Sequence, residues 1–429
     1  MLAGGALVGT NLSVARAAHP FGSDTIRLGL IGCGSRGTAA AIQALATSDS
    51  IGGDGDVKLT AMADVFQSNL HTAFRSIKGQ HRGRVDVEDR RFVGLEAYRQ
   101  VLQSDVDVVI LATPPGFRPQ HFEAAVAAGK HVFMEKPLAV DPPGVRRILA
   151  ANQVAKQRQL AVQVGLQRRH ESRYIECIER LQQGAIGDLQ FARAYWNGRG
   201  HWVRPRSHRQ SELEYQLRNW YYFTWLSGDH LVEQHIHNLD VINWLLQDHP
   251  VEAQGQGGRE LRRGIDHGQI FDHHNVEFTY ANGFKLFSQC RQMQGCWQSI
   301  SEHVHGGEGT ANITEAVIRD RYGSKLWQSD AVDAAGKGWQ SEMNDLFDAI
   351  RRGDVPNECD AAAMSTMTAI LGRLATYSGK RVKWNDALQS EVELGSTDHL
   401  HKLDDQPPVL PDESGKYPAP IPGSDVKWL

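Results

Sequence analysis

The stretch Ile26-Arg27-Leu28-Gly29-Leu30-Ile31-Gly32-Cys33-Gly34-Ser35-Arg36-Gly37 joins a short apolar run to a motif with glycine at its first, third and sixth positions. In a G-x-G-x-x-G motif the first glycine permits a tight turn, the second lets the backbone approach a pyrophosphate, and the third lets the next helix pack closely. The amino end of that helix then faces the phosphates. Because an apolar run precedes the motif and a helix-like segment follows it, we expect a dinucleotide to bind Gly32, Cys33, Gly34, Ser35, Arg36 and Gly37.

Short apolar runs alternate with helical segments over residues 25–164, which is typical of a parallel sheet with helices on both faces. The predicted strands cover residues 26–31, 57–63, 106–111, 131–134 and 161–164. The predicted helices begin near Gly37, Glu96 and Pro119, and a further helix extends across residues 141–157. The sequence therefore predicts an α/β protein whose first domain, residues 23–160, is a doubly wound Rossmann domain.

A second domain is predicted over residues 161–395, where polar stretches are longer. Apolar residues alternate with polar ones on both sides of Asn282-Gly283, which predicts a β-hairpin with positive φ angles at both turn residues. Helices are expected at residues 342–351 and 361–377. Six of the 16 prolines lie in residues 396–429, which we expect to form an arm along this subunit or a neighbour.

The composition limits the possible classes of function. The chain has 429 residues and a formal net charge of -4, so no strong overall field attracts nucleic acid or an anionic membrane. The five cysteines are scattered and odd in number, which argues against a disulfide framework or a zinc cluster. Beyond the first residues, no apolar run approaches the roughly 20 residues that span a bilayer.

Residues 1–22 are interpreted as a leader. Residues 1–14 are weakly apolar, and Ala15-Arg16-Ala17-Ala18 has the form of an A-x-A cleavage site, although no basic segment precedes the apolar run. A modestly apolar, glycine-bearing core is typical of twin-arginine signals, which export folded proteins. We therefore expect a periplasmic or otherwise exported protein, with a cytoplasmic location as the alternative.

An acidic residue ends the second predicted strand, in Leu59-Thr60-Ala61-Met62-Ala63-Asp64. A carboxylate at this place in a Rossmann fold accepts hydrogen bonds from the ribose hydroxyls and repels a 2′-phosphate. Asp64 follows the glycines by more than the usual spacing of about 20 residues, which the polar loop at residues 47–56 explains. NAD is the expected cofactor, and NADP stays open because Arg36 is close in sequence. An aspartate that only caps a turn is the alternative interpretation.

Further segments follow in a fixed order, namely Leu111-Ala112-Thr113-Pro114-Pro115, His121, residues 127–132 and Glu135-Lys136-Pro137. Together they resemble the signature of the Gfo/Idh/MocA oxidoreductases, over about residues 27–384. The resemblance implies an NAD(P)-binding domain whose cofactor contacts include Thr113, Pro114, His121, Glu135 and Lys136. It also implies a second α+β domain with a large open, mainly antiparallel sheet that supports substrate binding and assembly of a homo-oligomer, either a dimer or a tetramer.

Lys136 and His237 are the predicted catalytic pair. The resemblance places the family's lysine on Lys136, and an ammonium at the sheet edge can hold a substrate hydroxyl and stabilise a developing alkoxide. Apolar residues recur at helical spacing over residues 232–245, so Glu233 and His237 should be neighbours on one helix. His237 can then take the alcohol proton while Glu233 orients the imidazole. Family members more commonly have aspartate where this chain has Glu233.

Two further residues are candidates for substrate binding, together with Lys136 and His237. Arg168 lies in a segment similar to one that brings an arginine toward cofactor and substrate in the family, and a surface ion pair is the alternative. Trp202 lies in the basic and aromatic run at residues 199–206. Its ring could stack on a sugar, or this loop could contact a partner subunit.

A metal site is the less favoured interpretation of the same region. His230, Glu233 and His237 are spaced at i, i+3 and i+7 and could ligate an ion, and residues 272–274 raise the same question. Because no H-E-x-x-H motif is present and nicotinamide chemistry needs no metal, we predict none.

The sequence thus predicts an NAD(P)-dependent oxidoreductase that interconverts a secondary alcohol and a carbonyl on a sugar, cyclitol or derivative. Its expected partner is this small molecule, without nucleic acid or membrane. One alternative is an NAD-dependent glycosidase that uses transient oxidation and elimination, for which the unusual Glu233 leaves room. The other is a non-catalytic Rossmann-type protein that only binds a ligand.

Overall fold

The computed structural model describes residues 25–50, 56–332 and 338–424. These residues form two β-sheets with helices packed against them. The predicted leader, residues 1–22, lies outside the described residues. Among the helices of the described part, none is both long and apolar enough to cross a bilayer.

The first sheet is built from strands that are almost entirely buried, as expected when helices cover both faces. They are β1 (Ile26–Ile31), β2 (Val57–Asp64), β3 (Arg91–Val93), β4 (Val108–Leu111), β5 (His131–Met134) and β6 (Val162–Val164). All pairs are parallel, in the order β3-β2-β1-β4-β5-β6. The predicted doubly wound sheet is confirmed. Its order reverses between β1 and β4, and ligands of such sheets bind at this point of the carboxyl edge.

Five helices connect these strands. They are α1 (Ser35–Ser50), α2 (Gln67–Gln80), α3 (Ala97–Gln103), α4 (Arg118–Ala127) and α5 (Pro142–Gln157). The start of α5 is fixed by Asp141, whose Oδ1 accepts a hydrogen bond from the Gly144 backbone N–H at 2.9 Å. The sequence did not predict α2, which buries only Leu70, Ala73 and Ile77, or the short strand β3. The predicted boundary at residue 160 is wrong for β6, because β6 pairs with β5 in the first sheet.

The second sheet has nine strands. They are β7 (Leu189–Gly198), β8 (Pro250–Gly258), β9 (His273–Tyr280), β10 (Lys285–Gln292), β11 (Ser299–Gly306), β12 (Gly309–Asn312), β13 (Val317–Asp320), β14 (Lys325–Gln328) and β15 (Val382–Lys383). Their order is β14-β13-β12-β11-β7-β10-β9-β8-β15. β7 and β10 are parallel, and the other described pairs are antiparallel. The expected mainly antiparallel sheet is confirmed.

The predicted hairpin is formed by β9 and β10. Its turn differs in detail, because Gly283 has a φ of +85° whereas Asn282 does not have a positive φ. The Tyr280 N–H donates to the Phe284 carbonyl at 2.9 Å, which leaves three residues in the loop instead of two. A three-residue loop needs a left-handed conformation at one position, and glycine takes it.

The second half of the described chain contains eight helices, which range from four residues in α8 and α9 to 20 in α12. They are α6 (Ser172–Gln182), α7 (Glu212–Arg218), α8 (Thr224–Ser227), α9 (His230–Glu233), α10 (Ile236–Leu246), α11 (Trp339–Arg352), α12 (Cys359–Ser378) and α13 (Trp384–Leu388). The two late helices of the sequence analysis correspond to α11 and α12, which end before the left-handed residues Gly353 and Gly379.

The single helix predicted across residues 232–245 is divided into α9 and α10. The His235 N–H bonds to the His230 carbonyl five residues back, and the His237 N–H bonds to the Gln234 carbonyl three residues back. The buried His235 ring points to the second sheet, with Nε2 2.7 Å from Ser288 Oγ. This inward contact interrupts the regular helical register. Glu233 and His237 therefore do not share one helix, and that expectation is wrong.

Helix α11 crosses back to the first sheet. Its residues Met343, Leu346 and Phe347 belong to the same buried apolar cluster as β1 and β2. The helix packs directly against α1. The first domain therefore obtains part of its core from the segment that the sequence analysis gave to the second domain.

The proline-rich arm packs on the chain's own surface. Leu400 and Tyr417 are buried in a cluster with Phe223 and Trp225. The Tyr417 ring meets Phe223 edge-on at a centroid distance of 4.8 Å. Of the two expected positions for the arm, the described residues thus occupy the one along this subunit.

Candidate active site

A cleft of about 940 Å³ separates the carboxyl edge of the first sheet from the second domain. All twelve predicted cofactor residues line it, and so do Glu233, His237 and Trp202. Arg168 does not. The structure therefore brings nearly all of the predicted site together from segments that are far apart in sequence.

The three glycines of the loop have different structural reasons. Gly32 has a φ of +96°, and a Cβ there would lie 2.6 Å from the Ala112 carbonyl carbon. A Cβ on Gly37 would lie 1.9 Å from the Gly32 carbonyl oxygen, so any side chain would push α1 from the turn. A Cβ on Gly34 would have no protein atom within 4 Å. Gly34 thus leaves space in the cleft, whereas Gly32 and Gly37 permit backbone packing.

Asp64 connects the end of β2 to the glycine loop. Its Oδ2 accepts a hydrogen bond from the Cys33 backbone N–H at 2.7 Å, and its Oδ1 accepts one from the Phe66 N–H at 2.8 Å. Burial raises the pKa of this carboxyl above its usual value, although these backbone bonds act in the opposite direction. Asp64 caps the turn and also faces the cleft. Its remaining lone pairs are suited to accept hydroxyl protons.

Arg36 is committed to two carboxylates. Its guanidinium forms an ion pair with Glu135 and a second one, at 3.0 Å, with Glu342 of α11. A further hydrogen bond joins it to Gln43 at 3.2 Å. The arginine that left NADP open in the sequence is therefore held by partners other than Asp64.

Arg118 organises the Thr113-Pro114 loop and was not found from the sequence. It is buried and donates hydrogen bonds to the carbonyls of Leu111 at 2.6 Å and Thr113 at 2.7 Å. His121 Nδ1 lies 3.1 Å from Thr113 Oγ1. Burial, reinforced by the charge of Arg118, lowers the pKa of His121 to about 3. The loop is thus supported by one charged and one neutral buried side chain.

Lys136 is paired with Glu233. The Lys136 Nζ lies 2.8 Å from Glu233 Oε1 and also donates to the Glu233 backbone carbonyl. The lysine and glutamate side chains are only 13% and 14% exposed, so the pair is largely shielded from water. The Lys136–Pro137 peptide bond is cis. The Glu233 carboxylate therefore positions the Lys136 ammonium at the carboxyl edge of the first sheet.

His237 also lines the cleft and packs on Trp196 of β7, with ring centroids 6.0 Å apart and an interplanar angle of 21°. Burial lowers the pKa of His237 well below its usual value, and the positive charge of Lys136 lowers it further. No hydrogen bond joins it to Glu233 among the described residues. The expectation that Glu233 orients this imidazole is wrong, because the break between α9 and α10 separates them and Glu233 holds Lys136.

Arg168 lies behind the cleft instead of in it. It forms a buried ion pair with Glu302 and lies over the Tyr174 ring, 5.6 Å from its centroid. Glu302 also accepts a hydrogen bond from Asn238, the neighbour of His237. The expectation that Arg168 contacts substrate is wrong, since an ion pair deep in the protein occupies its guanidinium. Through Glu302 and Asn238, this pair therefore contacts the residue next to His237.

Trp202 lines the cleft near its outer end. The guanidinium of Arg204 lies over the ring, 4.8 Å from the centroid. The indole also packs near Tyr221, at a centroid distance of 6.1 Å. The ring is therefore held in an aromatic and cationic group.

Trp196, Glu342 and Arg118 are functional neighbours that sequence reasoning missed. Trp196 lies within an alternating strand, where an aromatic residue is expected for packing alone. Glu342 is separated from Arg36 by 306 positions, so no local pattern links them. Arg118 lies four positions after Pro114, and its position at the start of a helix, where a cation is unfavourable, is the one available signal.

Comparisons with known proteins agree on both halves. Residues 26–166 match the family model described as "Oxidoreductase family, NAD-binding Rossmann fold", and residues 174–312 match the "GFO/IDH/MocA C-terminal domain". An inositol 2-dehydrogenase from Agrobacterium fabrum is 27% identical over 354 residues, which cover 80% of this chain and 92% of the relative.

Solved structures show the same fold. A scyllo-inositol dehydrogenase from Lactobacillus casei, with bound NAD(H) and scyllo-inositol, aligns with a TM-score of 0.63 at 20% identity, covering 84% of this chain and 99% of that one. A levoglucosan dehydrogenase in complex with NADH and levoglucosan aligns with a TM-score of 0.64 at 19% identity, with coverages of 84% and 99%.

Proposed function

Because the chain belongs to the Gfo/Idh/MocA family of NAD-binding oxidoreductases, we propose that it oxidises a secondary alcohol of a cyclitol or sugar to a carbonyl, and catalyses the reverse reduction. The observation that carries this proposal is the position of Lys136 and His237 in the same cleft as the glycine loop. The relatives named for inositol and levoglucosan support a polyhydroxylated substrate.

The residues present fit an NAD molecule. The open space at Gly34 admits a pyrophosphate, and the amino end of α1 follows directly. Asp64 is suited to accept hydrogen bonds from the ribose hydroxyls, while Arg36 is held away by Glu135 and Glu342. When bound, NAD supplies the acceptor for the hydrogen and electron pair that leave the alcohol carbon.

Lys136 is proposed to bind the reacting oxygen. An ammonium has three N–H donors, and Glu233 accepts from it at its backbone carbonyl and at Oε1. A third donor is left for the substrate hydroxyl. As the alcohol loses its C–H and O–H bonds, this donor stabilises negative charge on the oxygen that becomes the carbonyl.

His237 is proposed to take the hydroxyl proton. Its lowered pKa keeps the imidazole neutral, and therefore able to accept, at neutral pH. The same environment makes a lasting imidazolium unfavourable, so His237 must pass the proton on to solvent at the cleft mouth. The packing on Trp196 fixes the ring plane during this transfer.

The proposal is tested by incubating the full chain with NAD and a panel of cyclitols, sugars and aryl glycosides. NADH absorbance and released aglycone are followed in the same cuvette. We expect NADH to accumulate with at least one cyclitol or free sugar and no aglycone to appear. Aglycone release without NADH would instead identify a glycosidase, and ligand binding without either product would identify a binding protein.

We also propose that the chain forms a homo-oligomer through the outer face of the second sheet. Phe287 of β10 and Trp297, whose ring meets Tyr195 of β7 edge-on at a centroid distance of 5.5 Å, are 42% and 63% exposed, which is unusual for large aromatic side chains on one sheet face. Light scattering coupled to size-exclusion chromatography tests this. A monomeric wild-type protein, or an oligomer unchanged in the double variant Phe287→Lys and Trp297→Lys, would contradict the proposed surface.

Export is proposed on the sequence of residues 1–18 alone. Fractionation of cells that express the full chain, followed by sequencing of the mature amino terminus, tests it. An uncleaved chain in the cytoplasmic fraction would contradict export.

A further inference from the structure

A second group of polar side chains lies in the interior of the second domain, one helical turn from Glu233. It consists of Asp229, His230, His274 and Cys290, and we name it the inner cluster. These residues are 0%, 0%, 2% and 0% exposed. The mechanism proposed above uses none of them. Donor atoms of His230, His274 and Cys290 all lie within 4.8 Å of one another.

The fold brings these residues together from three elements. His274 on β9 and Cys290 on β10 are direct partners in the antiparallel register, so their side chains leave the sheet on the same face. His230 begins α9, and its ring centroid lies 4.9 Å from that of His274. Asp229 precedes it with a φ of +80°, a conformation that favours glycine. The Asp229 carboxylate is held in place by the Phe271 N–H and the Tyr377 hydroxyl, which donate to Oδ2, and by the His230 N–H, which donates to Oδ1.

The hydrogen bonds around His274 allow its Nε2 to ligate an ion. Thr376 Oγ1 lies 2.9 Å from His274 Nδ1 and 3.1 Å from the Arg373 carbonyl, so it can accept a hydrogen bond from Nδ1 while it donates to that carbonyl. In this tautomer Nε2 carries a lone pair. Nε2 lies 3.3 Å from Asp229 Oδ2. In the other tautomer, Thr376 donates to Nδ1 and a proton on Nε2 joins His274 to Asp229.

His230 is the second buried histidine of the inner cluster. Neither of its ring nitrogens has a hydrogen-bond partner among the described residues, although the ring is fully buried. Its Nε2 is 3.7 Å from Asp229 Oδ1, which is too long for a hydrogen bond. Buried polar atoms without a partner are rare and point to a group that completes them. A ring nitrogen of each histidine thus lies within 4.8 Å of the other and of the Cys290 Sγ.

We propose that the inner cluster binds one Zn²⁺ ion through His230, His274, Cys290 and Asp229. Two imidazoles, one thiolate and one carboxylate form a four-coordinate donor set that zinc prefers, and the thiolate and carboxylate neutralise its charge. The low cysteine count that argued against a zinc cluster does not bear on a site with a single cysteine.

The site is closed and therefore structural. All four ligands come from the protein and none is accessible to substrate, whereas a catalytic zinc keeps an open position. Cys290 must lose its thiol proton to solvent when the ion binds. His274 is oriented by Thr376 in the way that outer partners commonly orient zinc ligands. The ion would fix α9 on the second sheet, and α9 ends at Glu233, the partner of Lys136.

The test measures metal in the full chain, expressed in zinc-supplemented medium and purified without chelator. Mass spectrometry of elemental zinc should give about one ion per wild-type chain and a loss of most of it in Cys290→Ser and His274→Gln. Cys177→Ser is the matched control, because Cys177 is equally buried but lies on α6. This control should keep its zinc.

Cobalt substitution gives a second readout that does not need a variant. Wild-type protein prepared with Co²⁺ should show the charge-transfer absorption of a cobalt–thiolate bond and the strong visible bands of a tetrahedral ion. Wild-type protein without zinc and without this spectrum would overturn the proposal, and a proton would then join Asp229 and His274. Zinc that persists in both ligand variants would overturn it as well, since the ion would lie elsewhere.

Discussion

The nucleotide half and the substrate half of the cleft are constructed in different ways. The nucleotide half is made mainly of backbone, where Gly32, Gly34 and Gly37 create a turn, an open space and a close packing contact. The substrate half is made of side chains that other side chains hold, such as Lys136 on Glu233, which is 97 positions away. The first kind of construction is visible in a local motif. The second becomes visible only after folding.

The largest expected effect is in the substrate half. Lys136→Met removes the donor to the reacting oxygen, so kcat should fall by about 10²- to 10³-fold. NAD affinity should fall much less than kcat, since the glycine loop is untouched and Lys136 is one of several expected cofactor contacts. Steady-state kinetics and NAD titration measure the two quantities, and the exposed Lys78→Met is the control. Equal losses in kcat and in NAD affinity would show that the two halves are not separable in this way.

In the nucleotide half, a matched pair of glycine variants separates the role of glycine in backbone packing from its role in leaving space for the cofactor. Gly37→Ala places a methyl group 1.9 Å from the Gly32 carbonyl oxygen and should lower the free energy of unfolding by about 3 kcal/mol. Gly34→Ala meets no protein atom and should leave stability unchanged while weakening NAD binding. Thermal unfolding and NAD titration distinguish the two. Equal destabilisation by both variants would contradict the separate roles of these glycines.

Asp64→Asn tests whether a side chain contributes to the nucleotide half. The change removes a negative charge near the expected ribose site, so the preference for NAD over NADP, measured as the ratio of kcat/KM values, should fall about tenfold, or by about 1.4 kcal/mol. Asp89→Asn, on an exposed turn of the same domain, should leave the ratio unchanged. An unchanged ratio in Asp64→Asn would reduce this carboxylate to a cap for the turn.

The buried histidines predict a moderate loss of stability in acid. His121, in the nucleotide half, and His235, in the substrate half, both have a pKa of about 3, chiefly because burial disfavours the charged form. In the unfolded chain these histidines bind protons below about pH 6.5, whereas in the folded protein they stay neutral down to about pH 3. Protonation therefore favours the unfolded state, and the free energy of unfolding decreases as the pH falls from about 6.5 toward 3. Unfolding in denaturant at pH 7.5 and 5.5 should differ by about 1 kcal/mol per histidine. His121→Gln should reduce the difference, and the exposed His399→Gln should not.

The smallest expected effect concerns the pH dependence of the rate. Because burial and Lys136 lower the pKa of His237, the base stays deprotonated where an ordinary histidine, with a pKa of about 6.5, would be protonated. The kcat/KM for alcohol oxidation should therefore be nearly constant from pH 8 to about pH 6. A decline centred near pH 6.5 would show that His237 is not the base or that its surroundings open in solution.

Much of the fold was predictable because the spacing of apolar residues and the positions of turn and cap glycines mark its elements in the sequence. The strand at residues 26–31, the Gly283 turn and the ends of α11 and α12 each carry a local signal in glycine placement or apolar spacing. β3 and α2 lack such a signal, since one is very short and the other buries few apolar residues. Their positions follow from the sheet they complete.

The sequence identified most residues of the site but not the contacts that these residues make with one another. Lys136, Glu233 and His237 were all identified, yet Glu233 pairs with the lysine instead of the histidine. The cause is the inward contact of His235 with Ser288, a tertiary interaction that no helical spacing contains. Arg168 illustrates the same limit, because only the folded chain places Glu302 within reach of it.

The return of α11 to the first sheet has a consequence for biosynthesis. The ribosome releases the nucleotide-binding segment early, but Met343, Leu346 and Phe347, which cover α1, emerge only after most of the chain has been translated. A truncated gene that stops after β6 would encode a fragment in which the apolar surface of α1 that α11 covers is exposed to solvent. The two halves of the enzyme therefore cannot be exchanged between relatives at a single crossover point. A functional chimera needs two junctions, one on each side of the segment that travels back.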